Sequence, residues 1–532
     1  MYRHRPIKIN ASVYTTLLGV ILCLYACAGS PRHPSLQNAD LPELAKPESF
    51  FIDEDRKYQF AISPDGKKVA WLAHIDGFDT IQFRAVKNEK AITLNTDCWC
   101  HVSEFTWAQD SRYILFYLSL GSGGKNHLYL ADTAQPQKKP VDLTPDAKWG
   151  VSFMKTIVAD PDTVYLSINQ RCFHCFDLYR LKLSTGEKTL LAKSDKDVLQ
   201  WIVDKTGNLS GRIRVASEDT IQYEQFQKSD SSWKARFSWN FDEDVHFIGF
   251  TRNKKRMWLL SNRGRDRMSL VLADPETGAE DLILENRTVD IDSVFTHPEN
   301  GQPLFAFAHP DYPKTHILQN ELEEDINRLV PPHGHGLSLL SMDNGGNLWT
   351  VKTYTEKKSE YFLYNRLSRQ LTFLGQRLPS VGHHILSATK PVAFKSQDGL
   401  VLNGYLTFPR GTSRKQLPTV LLVHGGPWSR DYWHYDQMVQ FLANRGYLVL
   451  QVNYRGSEGY GRSFLKAAKG EFGGKMHRDL IDAVNWTIRQ GIADPDKIAI
   501  VGASYGGYAA LAGLAFTPEN FTCGISINGV SD

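Results

Sequence analysis

Neither sign of charge dominates this 532-residue chain: 61 lysines and arginines stand against 58 aspartates and glutamates, a formal net charge of +3. That balance leaves no basic footprint for a nucleic acid. Long apolar runs are missing too. The uncharged apolar stretch at residues 11–26 falls short of the roughly 20 residues of a comfortable membrane span. Cysteine is scarce, with seven in all. What remains, 42% hydrophobic, 22% charged and 11% aromatic, is ordinary globular composition and excludes collagen-like, coiled-coil, disordered and polytopic membrane chains. At roughly 100–200 residues per domain the length fits about three domains, or two large ones. Forty glycines, 22 tyrosines and 27 phenylalanines point to strands and turns.

Arg3, Arg5 and Lys8 precede the 11–26 stretch, which ends in small residues. This is the layout of an export signal over residues 1–28. Leu24-Tyr25-Ala26-Cys27 resembles a bacterial lipobox, in which Cys27 is lipidated and tethers the mature chain to a membrane. Ala26-Cys27-Ala28 also fits an ordinary cleavage site, and an uncleaved anchor helix is the third reading. All three export the chain, to the periplasm or as a membrane-anchored lipoprotein. Beyond the signal lie Cys98, Cys100, Cys172, Cys175 and Cys523. Cys98-Trp99-Cys100 and Cys172-Phe173-His174-Cys175, with His101 and His174, offer metal ligands, but not at zinc-ribbon spacing. An exported chain favours disulfides, and bridges between the two pairs are expected, with free thiols and zinc as alternatives.

Residues 29–49, with Pro31, Pro34, Pro42 and Pro47 and no periodicity, read as a linker. Over 50–388 short β-rich runs alternate with turns. Turn signals at Asp65, Asp110, Asp160, Asp204, Asn253, Asn300 and Asp343 recur at intervals of 43–50 residues. Within repeats, Leu178–Leu181 and Leu270–Ala273 are followed by Thr185-Gly186 and Thr277-Gly278, the hairpins of a further strand pair. A period of this length, several strands per unit, predicts a seven-bladed β-propeller of four-stranded blades.

Over 389–532 the pattern changes to alternating strands and helices. A hairpin turns at Gln397-Asp398-Gly399, and 418–424 is a continuous apolar run, as a strand buried on both faces requires. Helical stretches are expected at 437–445 and 478–490, and strands at 447–452 and 497–501. This is an α/β sheet domain.

Gly502-Ala503-Ser504-Tyr505-Gly506 lies between the 497–501 strand and a helical stretch at 508–516. In that setting it is a nucleophile elbow: Ser504 sits on a strained turn, and Gly502 and Gly506 lack side chains because there is no room for them. His424-Gly425-Gly426-Pro427 ends the earlier buried strand, where glycines let backbone N–H groups approach an oxyanion. His424 precedes the serine, against the order of a hydrolase triad, so its expected role is to fix the loop.

Three motifs, HGGP at 424–427, NYRGSEGYG at 453–461 and GASYGGYAAL at 502–511, resemble the prolyl oligopeptidase family of serine peptidases. The likeness is closest to its acylaminoacyl-peptidase and dipeptidyl-peptidase-like branches. It implies Ser504 as nucleophile, Gly426 and Tyr505 as the oxyanion hole, short peptides admitted past the propeller, and no metal or organic cofactor. It also implies a catalytic aspartate and histidine beyond residue 532, so that 389–532 is the N-terminal part of an α/β-hydrolase domain and the activity of the chain as given is in doubt. Asp532 and His477 offer no in-chain substitute. Two other readings are an inactive propeller that binds peptide and an α/β-hydrolase esterase.

Overall fold

Each of the seven turn signals falls at the junction between the first and second strands of a separate antiparallel sheet. The reason these positions hold Asp or Asn is visible in the turns. Asp65, Asp110, Asp204, Asn253 and Asn300 each accept a hydrogen bond from the backbone N–H two residues on, at 2.8–3.1 Å, and Asp343 accepts one from Asn347 at 2.7 Å. A short polar side chain thus closes each of these six turns on its own backbone.

The computed structural model describes residues 44–51, 56–96, 102–119, 126–330, 335–377 and 385–531. They divide into two compact units: residues 56–354 with 358–377, and residues 44–51, 355–357 and 385–531. The export signal, Cys27, Cys98, Cys100 and Asp532 lie outside the described residues.

The first unit is a seven-bladed propeller whose blades span 57–93, 102–142, 151–192, 198–240, 245–284, 293–317 and 336–377. Every blade is an up-and-down sheet in chain order, and among the described residues no strand is shared between the first and last blades. The ring closes instead by packing. Phe60, Ile62 and Trp71 of the first blade form one core with Tyr361 and Leu363 of the seventh. Ile62 N–H donates to Ser341 Oγ at 2.8 Å, and Thr350 Oγ1 donates to the Phe60 carbonyl at 3.0 Å.

The sixth blade departs from the expected four strands. Among the described residues it has three, and the chain then forms a helix, Glu323–Leu329, after a short turn at Asn320–Leu322. Leu322, Ile326 and Leu329 recur at helical spacing and join the core around Phe305 and Trp349. Asp325 anchors the helix to the seventh blade, accepting from Tyr364 OH at 2.7 Å and Arg366 Nε at 2.8 Å. A second departure concerns cysteine. The expected bridge between the two cysteine pairs is not formed at Cys172 and Cys175, which are bonded to each other across a Cα separation of 5.1 Å.

The second unit is built on a six-stranded sheet ordered Thr389–Lys395, Val401–Thr407, Leu448–Asn453, Leu417–Val423, Ala493–Ala503 and Cys523–Ile527. The first two pairings are antiparallel and the remaining three parallel. All six residues of Leu448–Asn453 are buried, as a strand covered on both faces requires. The helix Lys475–Arg489 buries Met476, Leu480, Ala483, Val484 and Thr487, one stripe of an amphipathic helix. Gln437–Asn444 covers Val420, Val449, Ala499 and Val501.

That core contains a residue from the other end of the chain. Phe50, in the short helix Glu48–Phe51, is fully buried among Val420, Val439 and Phe441. Arg445 lies over the rings of both Phe50 and Phe441 and donates to the Ala45 carbonyl at 2.8 Å. The segment 44–51, read as the end of a linker and the start of the propeller, is therefore part of the hydrolase unit.

Candidate active site

The chain runs from Leu417–Val423 to a strand on one side, Leu448–Asn453, and next to a strand on the other, Ala493–Ala503. Such a reversal leaves a crevice at the C-terminal ends of the two diverging strands. Ser504 stands there, at the end of Ala493–Ala503 and at the N-cap of the helix Tyr505–Phe516.

Ser504 has φ of +55° and ψ of −118°, a strained conformation for a residue with a side chain. Its surroundings hold it there. The Ser504 N–H donates to the Ile527 carbonyl at 2.9 Å, and its own carbonyl accepts from Tyr508 N–H at 3.0 Å. The two elbow glycines are explained by distance. A Cβ on Gly502 would lie 2.4 Å from the Gly506 backbone, and one on Gly506 would lie 2.1 Å from the Val423 carbonyl. With those approaches the helix starts hard against both strands and the serine side chain is left exposed.

The Gly425-Gly426 segment passes beside it. A Cβ on Gly425 would sit 3.4 Å from that of Ser504. Gly426 has φ of +117°, open only to glycine at low cost, and is followed by a cis peptide bond to Pro427. Gly426, Ser504 and Tyr505 border the same cavity of about 430 Å³. Tyr505 opens its helix, so its N–H has no partner within the helix, and the helix N-terminus favours negative charge there.

His424 is a fastener. Its ring stacks on Tyr454 at 4.4 Å, and burial pushes it down to about 4, so it is neutral at physiological pH. Nδ1 then donates to the Gly425 carbonyl at 2.8 Å, and Nε2, 3.0 Å from Ser457 Oγ, is left to accept. His477 bonds Thr517 Oγ1 at 3.0 Å, at the far end of the helix that Ser504 caps. Twelve residues of helix separate them, about 18 Å. Neither histidine is hydrogen-bonded to Ser504.

The NYRGSEGYG segment supplies the site's frame. Arg455 is buried and holds two carboxylates at 2.7–2.9 Å, Asp479 on the helix Lys475–Arg489 and Asp398 in the hairpin turn. Those bonds to Arg455 hold the Asp398 carboxyl well below the usual carboxylate range. Arg430, also buried, donates to Tyr460 OH at 2.7 Å, and Asn453 bonds both Tyr460 and the backbone of Asp431.

Sequence reasoning located the elbow serine and the glycine loop, which the structure brings together, but missed the wall of the cavity. Trp428, Phe472, Tyr508 and Val530 line it beside Tyr505. The Tyr505 and Tyr508 pair at helical spacing was the available signal; Phe472 arrives from a loop between helices and leaves no pattern.

The profile of the prolyl oligopeptidase family matches residues 433–532. Dipeptidyl aminopeptidase BIII of Pseudoxanthomonas mexicana is 32% identical over 514 residues, 92% of this chain and 72% of its own length. Dipeptidyl peptidase family member 6 of Caenorhabditis elegans is 26% identical over 530 residues, 90% of this chain and 70% of its own. Among solved structures, a prolyl endopeptidase superposes with a TM-score of 0.69 at 13% identity, covering 97% of this chain and 77% of that one. An acylaminoacyl peptidase of Pyrococcus horikoshii gives 0.61 at 16%, covering 90% and 78%. These structures share the fold. With a serine elbow, a glycine loop beside it and a relative matching along nearly the whole chain, the protein belongs to the prolyl oligopeptidase family and is a serine peptidase.

Proposed function

We propose that Ser504 attacks the carbonyl of a short peptide and forms an acyl-enzyme, with backbone N–H groups of Gly426 and Tyr505 receiving the oxyanion. The observation that carries this reading is the strained Ser504 backbone, held open to the cavity by glycine contacts that no side chain could replace. A hydroxyl needs a general base to react at neutral pH. His424 and His477 are engaged elsewhere, and the family resemblance implies a histidine oriented by an aspartate as that base. The propeller limits substrates to short or unfolded peptides.

The names of the two relatives that match nine-tenths of the chain favour release of dipeptides from free N-termini. The enzyme works outside the cytoplasm, in the periplasm or tethered through Cys27. The test is turnover of a dipeptidyl p-nitroanilide with a free amine, its N-acetylated counterpart, and a p-nitrophenyl ester. Faster cleavage of the free-amine amide is expected. Ester turnover alone, or amide turnover that survives Ser504→Ala, would contradict the proposal.

A further inference from the structure

Five of the seven turns between the first and second strands of the blades carry an aspartate. The two that carry asparagine, Asn253 and Asn300, belong to the fifth and sixth blades. Those two border one cavity of about 630 Å³, together with Arg252, Arg256 and Gln302. The exchange of carboxylate for amide leaves the turns closed. Asn253 Oδ1 accepts from Lys255 N–H at 3.1 Å and from Thr251 Oγ1 at 2.8 Å, and Asn300 Oδ1 accepts from Gln302 N–H at 2.9 Å. What changes is the rest of the group, where a negative oxygen gives way to an NH₂ that donates. Among the described residues neither Nδ2 has a hydrogen-bond partner.

The charge around this cavity is of one sign. Among the described residues that line it, Arg252 and Arg256 alone are charged. Arg252 is exposed, and among the described residues it has neither a hydrogen-bond nor an ion-pair partner. Arg256 Nη2 donates to the Leu272 carbonyl at 2.5 Å and to Asp281 Oδ2 at 2.7 Å, but its Nε is buried among the described residues without an acceptor. A buried donor left so costs free energy until an acceptor arrives. Lys205 of the fourth blade adds to the field. A Cβ on Gly301, between Asn300 and Gln302, would lie 3.1 Å from its Nζ. Burial, with the charge of Arg252 beside it, pushes the Lys205 ammonium down. The neighbouring acids do not answer these charges at the cavity: Asp281 and Glu299 are not in its lining, and Asp204 is held by Lys254 at 2.7 Å.

We propose that this cavity between the fifth and sixth blades binds a small organic oxyanion, a carboxylate or a phosphate monoester that carries an apolar group. Arg252, Arg256 Nε and the side-chain amides of Asn253, Asn300 and Gln302 receive the oxyanion. Guanidinium groups are the side chains best matched to carboxylate and phosphate oxygens. Phe250, Trp258 and Leu272, which also line the cavity, pack against the apolar group. An aspartate at either turn would set a like charge against the ligand and remove a donor, which accounts for asparagine at these two turns. The site does not involve Ser504, so it stands or falls apart from the peptidase reading.

The test is calorimetric titration of the full chain with phenyl phosphate, hydrocinnamate, inorganic phosphate and the neutral hydrocinnamyl alcohol. At least one of the two organic anions should bind about 10-fold or more tightly than the alcohol, and the tighter of the two identifies the oxyanion. Arg252→Gln should weaken that binding by about 10-fold or more. Asn300→Asp should weaken it as well, although it keeps the oxygen that closes the turn. Arg252 is exposed and the turn at 300 keeps its acceptor, so both variants should fold with unaltered thermal midpoints. Equal binding of the alcohol, binding that either variant leaves unaltered, or no saturable binding of either organic anion would overturn the proposal. Inorganic phosphate that binds as tightly as phenyl phosphate would overturn the part assigned to Phe250 and Trp258.

Discussion

The propeller and the hydrolase unit hold their shape in opposite ways. In the propeller the same device is used again and again: an Asp or Asn closes the first turn of a blade, and the blade buries its faces against its neighbours. The determinants are many, small and alike. In the hydrolase unit they are few and unlike. Two glycines stand where an added Cβ would lie 2.1–2.4 Å from backbone, one arginine holds two carboxylates, and a distant N-terminal phenylalanine completes the core. A catalytic serine needs one strained geometry held firmly, whereas a ring of blades needs only that each neighbour fit the next.

Equivalent substitutions in the two units should therefore have unequal effects. The widest gap is between glycines. Gly506→Ala drives a Cβ into the Val423 carbonyl and should cost roughly 2–5 kcal/mol, with loss of activity. Gly77→Ala in a first-blade hairpin has φ of +85° but nothing within 4 Å, and should cost about 1–2 kcal/mol. Urea midpoints of the two variants measure the difference; equal shifts would erase the contrast.

Polar anchors give the next test. Arg455→Met leaves Asp479 buried without its partner and should destabilise by roughly 3–5 kcal/mol. Asp110→Ala removes one turn-closing acceptor and should cost about 1 kcal/mol or less. A propeller variant as damaging as Arg455→Met would show that the blades are not interchangeable in strength.

The smallest effect is one of pH, and it belongs to the hydrolase unit. Asp431 is half-buried, and desolvation, aided by the Asp436 charge, pushes its carboxyl up to about 7. His424 is pushed down to about 4 by desolvation. Ordinary values are about 3.9 for Asp and 6.5 for His. Between pH 4 and 7 the native state keeps an Asp431 proton that the unfolded chain has lost, so this group makes stability fall as pH rises. Between pH 4 and 6.5 the unfolded chain carries a His424 proton that the native state lacks, so this group makes stability rise. The two slopes oppose. Asp431→Asn should make the unfolding midpoint climb from pH 4.5 to 6.5, and His424→Gln should make it decline from pH 4.5 to 7. Parallel profiles for both variants would contradict the assigned burial.

The contrast also governs what was readable beforehand. Repetition made the propeller legible, since six turns share one side-chain closure and each lies where the spacing places it. The missing strand of the sixth blade was not, because Leu322, Ile326 and Leu329 show their purpose only when packed against Phe305 and Trp349. In the hydrolase unit the elbow was legible because sterics allow so few residues beside Ser504. Phe50 was hidden by distance in the chain, lying 370 residues before Val420 in the core they share. Phe472 was hidden by its loop. The cysteine pairing went astray because spacing alone cannot tell a local bridge at Cys172 and Cys175 from one to another pair.

The central claim is that the strained Ser504 is the nucleophile. Labelling of the enzyme with a fluorophosphonate probe, followed by mapping of the modified peptide, tests it most directly. One equivalent of label on Ser504, abolished in Ser504→Ala together with a fall of at least about 10⁴-fold in peptide turnover, is the predicted result. Label on a different residue, or peptide turnover that persists in Ser504→Ala, would contradict it.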